Sequence, residues 1–197
     1  MKINPTVEKL SEQQRADRLN DLEIKAELPE RHARCTPIID NAWGDTFSAF
    51  KTKLGNGVLL ALVGTRGNGK TQLAVSLARW VMEANYRSAR YTTAASFFMD
   101  VKAAYRPGAD ESECSVIEEH VKPRFLIIDE FNKRGASEWE GTLMFELLHR
   151  RYNALKDTIL IDNRTVEEFT ATIGPSLASR MNEGGGIVQC DWPSFRA

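Results

Sequence analysis

The residues with the greatest capacity for chemistry lie together in Gly64-Thr65-Arg66-Gly67-Asn68-Gly69-Lys70-Thr71, which fits the spacing G-x-x-x-x-G-K-[ST] directly after the apolar run Val58 to Val63. Glycine tolerates the backbone angles that turn successive N–H groups toward one point, and phosphate oxygens are the acceptors such a concave loop fits. A helix starting near Gly69 adds the positive end of its dipole to the same place. In such a loop Lys70 reaches the β- and γ-phosphates of a nucleotide, and Thr71 places its hydroxyl on Mg2+. The alternative is an ordinary glycine-rich turn, but Leu73, Ala74, Leu77, Ala78 and Val81 follow at helical spacing, so the loop sits between a buried strand and an amphipathic helix.

A second group is Phe125-Leu126-Ile127-Ile128-Asp129-Glu130, a buried strand ending in two acids. Carboxylates at such a strand end call for a cation: Asp129 suits the Mg2+ shell, and Glu130 suits polarisation of a water aimed at a γ-phosphate. Adjacent residues of a regular strand face opposite ways, so the chain has to turn just after Asp129 for both to serve one site. Asn163 follows the strand Thr158 to Asp162. It suits either a hydrogen bond to the attacking water or γ-phosphate, if its strand neighbours the first and third, or the N-cap of the helix beginning near Thr165. Arg180 follows a short helical stretch, and a lone arginine there is ordinarily a surface residue.

These groups need a frame, and from Gly57 the sequence alternates short apolar strands with amphipathic helices, the pattern of a parallel sheet covered on both faces. Strands are expected at about 58–63, 89–93, 124–129, 157–162 and 187–191. Helices are expected near 69–84, 94–105, 114–121, 138–154 and 165–180. Before this unit, Asn4-Pro5 reads as a helix start for a charged segment running to about Glu27, whose sparse apolar residues suit a solvated arm or a partner-docking element. Residues 29–50 read as an irregular lead-in anchored by Trp43. The chain thus divides into a helical arm and lead-in over 1–45 and an α/β domain over 46–197.

Composition sets limits. In 197 residues, 42% hydrophobic and 27% charged, there is room for one ordinary domain plus an appendage, and a mainly disordered chain is excluded. The longest apolar run is far below the roughly 20 residues that span a bilayer, and no leader of signal-peptide character opens the sequence, so a cytoplasmic protein without membrane contact is expected. Net charge is −1, with 7 basic against 9 acidic residues over 1–50 and 19 against 18 thereafter, so no global basic field draws the protein to nucleic acid. Cys35, Cys114 and Cys190 are far apart and lack metal-ligand spacing, which reads as structural thiols.

In chain order, GTRGNGKT, RYTTAASFFMDVKAAY, FLIIDEF, LMFELLHRRYNALKDTILIDN, SLASRMNEGG and DWPSFR resemble the AAA+ ATPases of the DnaC-type replicative helicase loader group and the related IstB-type transposition helper ATPases. The resemblance covers about residues 46–197. The phosphate loop is common to many ATPases, whereas the ordered set is far more specific. It implies an α/β P-loop AAA+ fold with a five-stranded parallel sheet; two departures from the family pattern are expected, the absence of the C-terminal helical lid common in AAA+ proteins and a helical N-terminal arm that is short for a helicase-docking domain. It further implies ATP and Mg2+ as cofactors, with Gly64, Thr65, Arg66, Gly67, Asn68, Gly69, Lys70 and Thr71 on the nucleotide and Thr71 and Asp129 on the metal. Glu130 and Asn163 would be catalytic, Arg180 would be an arginine finger given to a neighbouring subunit, and Arg196 a further nucleotide-sensing arginine.

The same resemblance implies an ATP-dependent homo-oligomer whose inner surface tracks single-stranded DNA, with a replicative helicase as partner. Phe97, Phe98, Lys102, Tyr105 and Arg106 are candidates for that surface, since stacking rings and cations are what single strands bind. Phe97, Val101 and Tyr105 at i, i+4 and i+8 fit a packing stripe better. The function expected is ATP-dependent helicase loading. The alternatives are a transposition helper ATPase on duplex DNA and an ATP-gated adaptor with little turnover. A small-molecule kinase is disfavoured by the Asp129-Glu130 pair and by the lack of an arginine-rich closing segment.

Overall fold

A computed structural model describes residues 10–35, 41–133 and 137–195. Helices α1 (Glu12–Ala26), α2 (Glu30–Ala33) and α3 (Ala42–Lys53) precede strand β1 (Leu59–Val63). There follow α4 (Lys70–Asn85), β2 (Ala89–Thr93), α5 (Ala94–Ala103), α6 (Glu113–Val121) and β3 (Phe125–Asp129). A 3-10 turn over Phe131–Lys133 leads to α7 (Glu138–Asn153), β4 (Asp157–Ile161), α8 (Val166–Gly184) and β5 (Gly186–Gln189). The expected strands and helices of the α/β unit are all present, with ends displaced by a few residues.

The five strands form one parallel sheet in the order β2-β3-β4-β1-β5. β1, β3 and β4 are buried along their whole length, which is why they read as near-continuous apolar runs. Alternation then divides the core. Leu59, Ala61 and Val63 face α5, α6, α7 and α8, while Leu60 and Leu62 face α3 and α4. Local chemistry sets the helix starts: Ser11 with Gln14 and Thr165 with Glu168 form capping boxes, and Thr93 and Ser137 each accept a backbone N–H of the turn they open.

Three expectations need correction. The lead-in is not irregular: Asn41 caps α3 by accepting the N–H groups of Trp43 and Gly44, and this helix runs across the boundary expected at residue 45. Trp43, Phe47 and Phe50, three or four residues apart, give it a buried face. The charged segment is not solvated all round, because α1 lies against β2 and α4 with Leu19 and Leu22 half-buried and Ala26 fully buried. Its helix opens at Ser11; the expected start at Asn4-Pro5 lies outside the described residues. Finally, Phe97 and Phe98 are buried in the core, so only Lys102, Tyr105 and Arg106 of the anticipated strand-binding group face solvent. Lys102 there lies over the Trp139 ring and beside Glu140.

Gly174 leaves helical geometry (φ 75°, ψ 165°) and, with Pro175 after it, breaks α8 into two segments. No helix among the described residues is long and apolar enough to cross a membrane.

Candidate nucleotide site

The loop Gly64–Gly69 leaves the carboxyl end of β1, where a parallel sheet places its ligands. Gly64 has φ 126°, and a Cβ on it would stand 2.7 Å from the Cys190 carbonyl oxygen, so conformation and space both demand glycine. Its N–H donates to Arg164 O at 3.0 Å, tying the loop's start to the end of β4. Gly69, at φ 78°, opens α4. Lys70 is 4% exposed, and its ammonium donates to Gly64 O (2.8 Å), Thr65 O (2.6 Å) and Asn68 Oδ1 (3.1 Å). The cation is thus centred in the concavity of the loop.

Thr71 and Asp129 meet across 58 residues of chain, with the threonine hydroxyl donating to Asp129 Oδ2 at 2.8 Å. The Tyr91 phenol donates to the same oxygen at 3.0 Å. Burial, reinforced by the negative charge of Asp129, pushes the Tyr91 pKa far up, which keeps the phenol a donor. The turn that two adjacent acids require is present. Glu130 has φ 51°, its N–H donates to Asp129 Oδ1 at 2.6 Å, and a 3-10 turn follows. Its carboxylate thereby joins Asp129 at one cavity, with Lys133 Nζ 2.8 Å from Oε1. That ion pair is half-exposed and holds Glu130 only weakly.

β4 does neighbour β1 and β3, so Asn163 comes to the same cavity. The helix after it is capped by Thr165, which removes the capping explanation for Asn163. The cavity measures about 600 Å3 and takes in Arg66, Gly67, Asn68, Gly69, Lys70, Thr71, Asp129, Glu130 and Asn163. Gly64 and Thr65 shape it from behind through their carbonyls on Lys70. Its far wall was not anticipated: Arg31, His32 and Cys35 from around α2, Trp43 from α3, and Phe195. His32 is held by Gln72 of α4, with Nδ1 paired to Oε1 at 3.0 Å and Nε2 of the glutamine donating to His32 O at 3.0 Å.

Arg180 is elsewhere. It borders a separate cleft with Val58 and Leu59 at the amino end of β1, whereas the phosphate loop follows the carboxyl end, roughly 17 Å of strand away. Its guanidinium lies over the Tyr152 and Phe145 rings (5.0 and 5.7 Å) and pairs with His149 Nδ1 at 2.7 Å. Arg196 lies outside the described residues.

The donor set fits a nucleotide with Mg2+. Mg2+ takes hard oxygens from one or two protein groups plus phosphates, and the Thr71 hydroxyl and Asp129 carboxylate are such a pair beside a glycine loop and a buried lysine. Consistent with that, no cluster of three or more His, Cys, Asp or Glu suited to an all-protein metal cage exists among the described residues.

A parallel sheet of this order with a phosphate loop after β1 and an acidic pair after β3 defines a P-loop AAA+ domain. The chain belongs to the family of IstB-like ATP binding proteins, whose model matches residues 49–183. Among curated proteins it is similar to the replicative helicase loader DnaC of Escherichia coli K12, 25% identical over 144 residues, which is 73% of this chain and 58% of that protein. The match therefore spans less than two thirds of the relative. A crystal structure of the DnaC helicase loader superposes with a TM-score of 0.68 at 20% identity, over 82% of this chain and 99% of that one. AMPPCP-bound DnaA from Aquifex aeolicus gives 0.64 at 20% identity, over 78% of this chain and 48% of that one. At these identities the structural likeness speaks for the fold alone.

Proposed function

We propose that this protein is an ATP-dependent replicative helicase loader in which ATP binding drives assembly and hydrolysis resets it. The observation that carries the ATPase reading is the Thr71–Asp129 hydrogen bond, with Lys70, Glu130 and Asn163 on the same cavity. Lys70 exchanges its bonds to the loop carbonyls for bonds to the β- and γ-phosphates. Thr71 and Asp129 would hold Mg2+, which would supply charge neutralisation for the phosphates. Glu130 orients and polarises the attacking water, and Asn163 holds the water or the γ-phosphate in line. Arg180, set too far from its own chain's loop, serves the nucleotide of the next subunit, where its charge stabilises the transition state. The loader role rests on the similarity to DnaC.

The test is Mg-ATP hydrolysis with and without single-stranded or duplex DNA. Glu130→Gln is expected to bind ATP normally and to lose about 100-fold or more in turnover. Stimulation by single strands supports helicase loading. The family match favours a second reading, a transposition helper acting on duplex DNA, and stimulation by duplex alone would replace the first with it. Turnover unaffected by Glu130→Gln would remove that residue from the site.

A further inference from the structure

After β5 the chain doubles back over the phosphate loop and takes hold of it at successive peptide groups. Cys190 N–H first pairs with Val63 O at 2.8 Å, extending the ladder beside β1. Phe195 N–H then donates to Gly67 O at 3.0 Å, and the Trp192 indole N–H donates to Asn68 O. From the other side the Trp43 indole N–H donates to Gly69 O at 3.2 Å. Three consecutive carbonyls of the loop are thereby bonded, and Gly69 O also accepts the Leu73 N–H of α4 at 2.9 Å. Asn68 adds a fourth tie, its side-chain N–H2 donating to Cys190 O while its Oδ1 accepts from Lys70. The Phe195 ring completes the contact: a Cβ on Gly69 would lie 3.0 Å from two of its carbons and 3.2 Å from Trp43 Nε1.

A trans peptide is planar, with its N–H directed opposite its C=O. Anchoring the oxygens of Gly67, Asn68 and Gly69 therefore fixes the direction of the N–H groups of Asn68, Gly69 and Lys70. Those N–H groups are the donors a phosphate meets in such a loop. An isolated glycine-rich loop would have to order them on binding, at a cost in backbone entropy.

We propose that residues 190–195 are a strap that, with Trp43 of α3 opposite it, presets the phosphate-binding face of the loop, Trp192 and Trp43 being the positioning residues. This deepens the nucleotide-site reading above and rests on it. The strap ties affinity for the phosphates, rather than for the base or sugar, to two indole N–H groups. Phe195 also lines the cavity, so the same segment borders the ligand it prepares for.

Trp192→Phe and Trp43→Phe keep a ring and delete the donor; Trp139→Phe, on the opposite face of the sheet, is the control. Hydrogen exchange of the peptide spanning 64–71 in nucleotide-free protein is expected to quicken between about 3- and 10-fold in each of the first two variants, the range one hydrogen bond carries, and to stay unchanged in the control. By calorimetry ATP and ADP should weaken by a similar factor, and adenosine should not. Unaltered exchange, or ATP affinity within twofold of the parent, would overturn the proposal, as would an equal loss for adenosine, which marks a general structural defect. If the parent protein binds no ATP, the nucleotide reading fails and the strap's role in binding fails with it, and the exchange data show separately whether the loop is tethered.

Discussion

At the scale of single residues, the site is a set of oxygen and nitrogen atoms whose partners are accounted for one by one. Asp129 Oδ2 accepts from both Thr71 and Tyr91, and its Oδ1 accepts the Glu130 N–H, so the carboxylate is held on both oxygens. Deleting one of these donors loosens the group that is to meet the metal. Tyr91→Phe is accordingly expected to raise the Mg2+ concentration that half-saturates ATP binding by about 3- to 10-fold, with the melting temperature within a few degrees of the parent; a titration with a fluorescent ATP analogue at varied Mg2+ measures it. An unchanged Mg2+ requirement would make the Tyr91 contact incidental. The sequence made Lys70, Thr71, Asp129 and Glu130 legible because their spacing and flanking apolar runs encode both chemistry and position. Tyr91 escaped notice because nothing in ARYTT distinguishes a ring that reaches the neighbouring strand's acid from one that packs. Trp192 belonged to a motif whose specificity was evident and whose contacts were not, since hydrogen bonds 124 residues apart leave no local trace.

At the scale of elements, one buried polar group, Arg151, ties helices to the sheet, and another, His120, sits between two helices. Arg151 of α7 is fully buried and donates to Thr158 Oγ1 (2.8 Å), Asp157 O (2.6 Å), and the carbonyls of His120 (2.8 Å), Val121 (3.2 Å) and Pro123 (2.8 Å). Burial lowers its pKa to about 9, and the guanidinium remains the bonded form at neutral pH. It stitches the end of α6 and the approach to β3 to the start of β4. Arg151→Met would strand those acceptors in the core and is expected to lower unfolding free energy by about 3 kcal/mol or more, measured in urea. A loss under about 1 kcal/mol would mean that water or repacking satisfies them. His120 of α6 pairs Nδ1 with Val116 O at 2.9 Å and meets the Phe97 ring edge at 5.0 Å. Burial lowers its pKa, against the smaller opposing effect of the Val116 carbonyl; Arg90 lowers it as well, and Asp100 and Glu119 raise it. The folded protein therefore keeps this imidazole neutral where the unfolded chain, with a pKa near about 6.5, takes up a proton. Stability supported by the neutral ring is full above that pH and declines as pH falls below it. Between pH 7 and 5, unfolding free energy should decline less steeply in His120→Leu than in the parent; equal slopes would release His120 from that role. Neither residue was legible, because an arginine in LLHRRY carries the pattern of a solvated helix face, and its burial comes from carbonyls on three other segments. The short helices before β1 were missed for a related reason: Trp43, Phe47 and Phe50 have helical spacing, but over so few turns that Gly44 and the prolines upstream outweighed it.

At the scale of the whole molecule, the distance between Arg180 and its own phosphate loop makes assembly a condition of catalysis in the proposed mechanism. Arg180→Ala is expected to bind ATP and turn it over slowly. Mixing it with Glu130→Gln should then restore activity, because a site formed by Glu130 of one variant and Arg180 of the other is complete; random equimolar mixing in a closed ring gives about a quarter of interfaces that composition. No recovery on mixing would place Arg180 outside the active site. The parallel sheet and both helical layers were legible from alternating strands and helices; the strand order was not, since nothing local says which strands pair, and neither was the placement of the amino-terminal arm, since charge on one face of α1 hides how little apolar surface suffices to seat it on β2. That seating has a further meaning. α1 is continuous through α2 with the wall formed by Arg31, His32 and Cys35, and His32 is fastened to α4 immediately behind Lys70 and Thr71. In the proposed mechanism, if lifting α1 from the sheet also displaces that wall, a partner that grips the lifted arm would lower nucleotide affinity by some factor, and nucleotide would weaken that partner by the same factor. The arm is then a handle whose pull and whose release are read in one free energy.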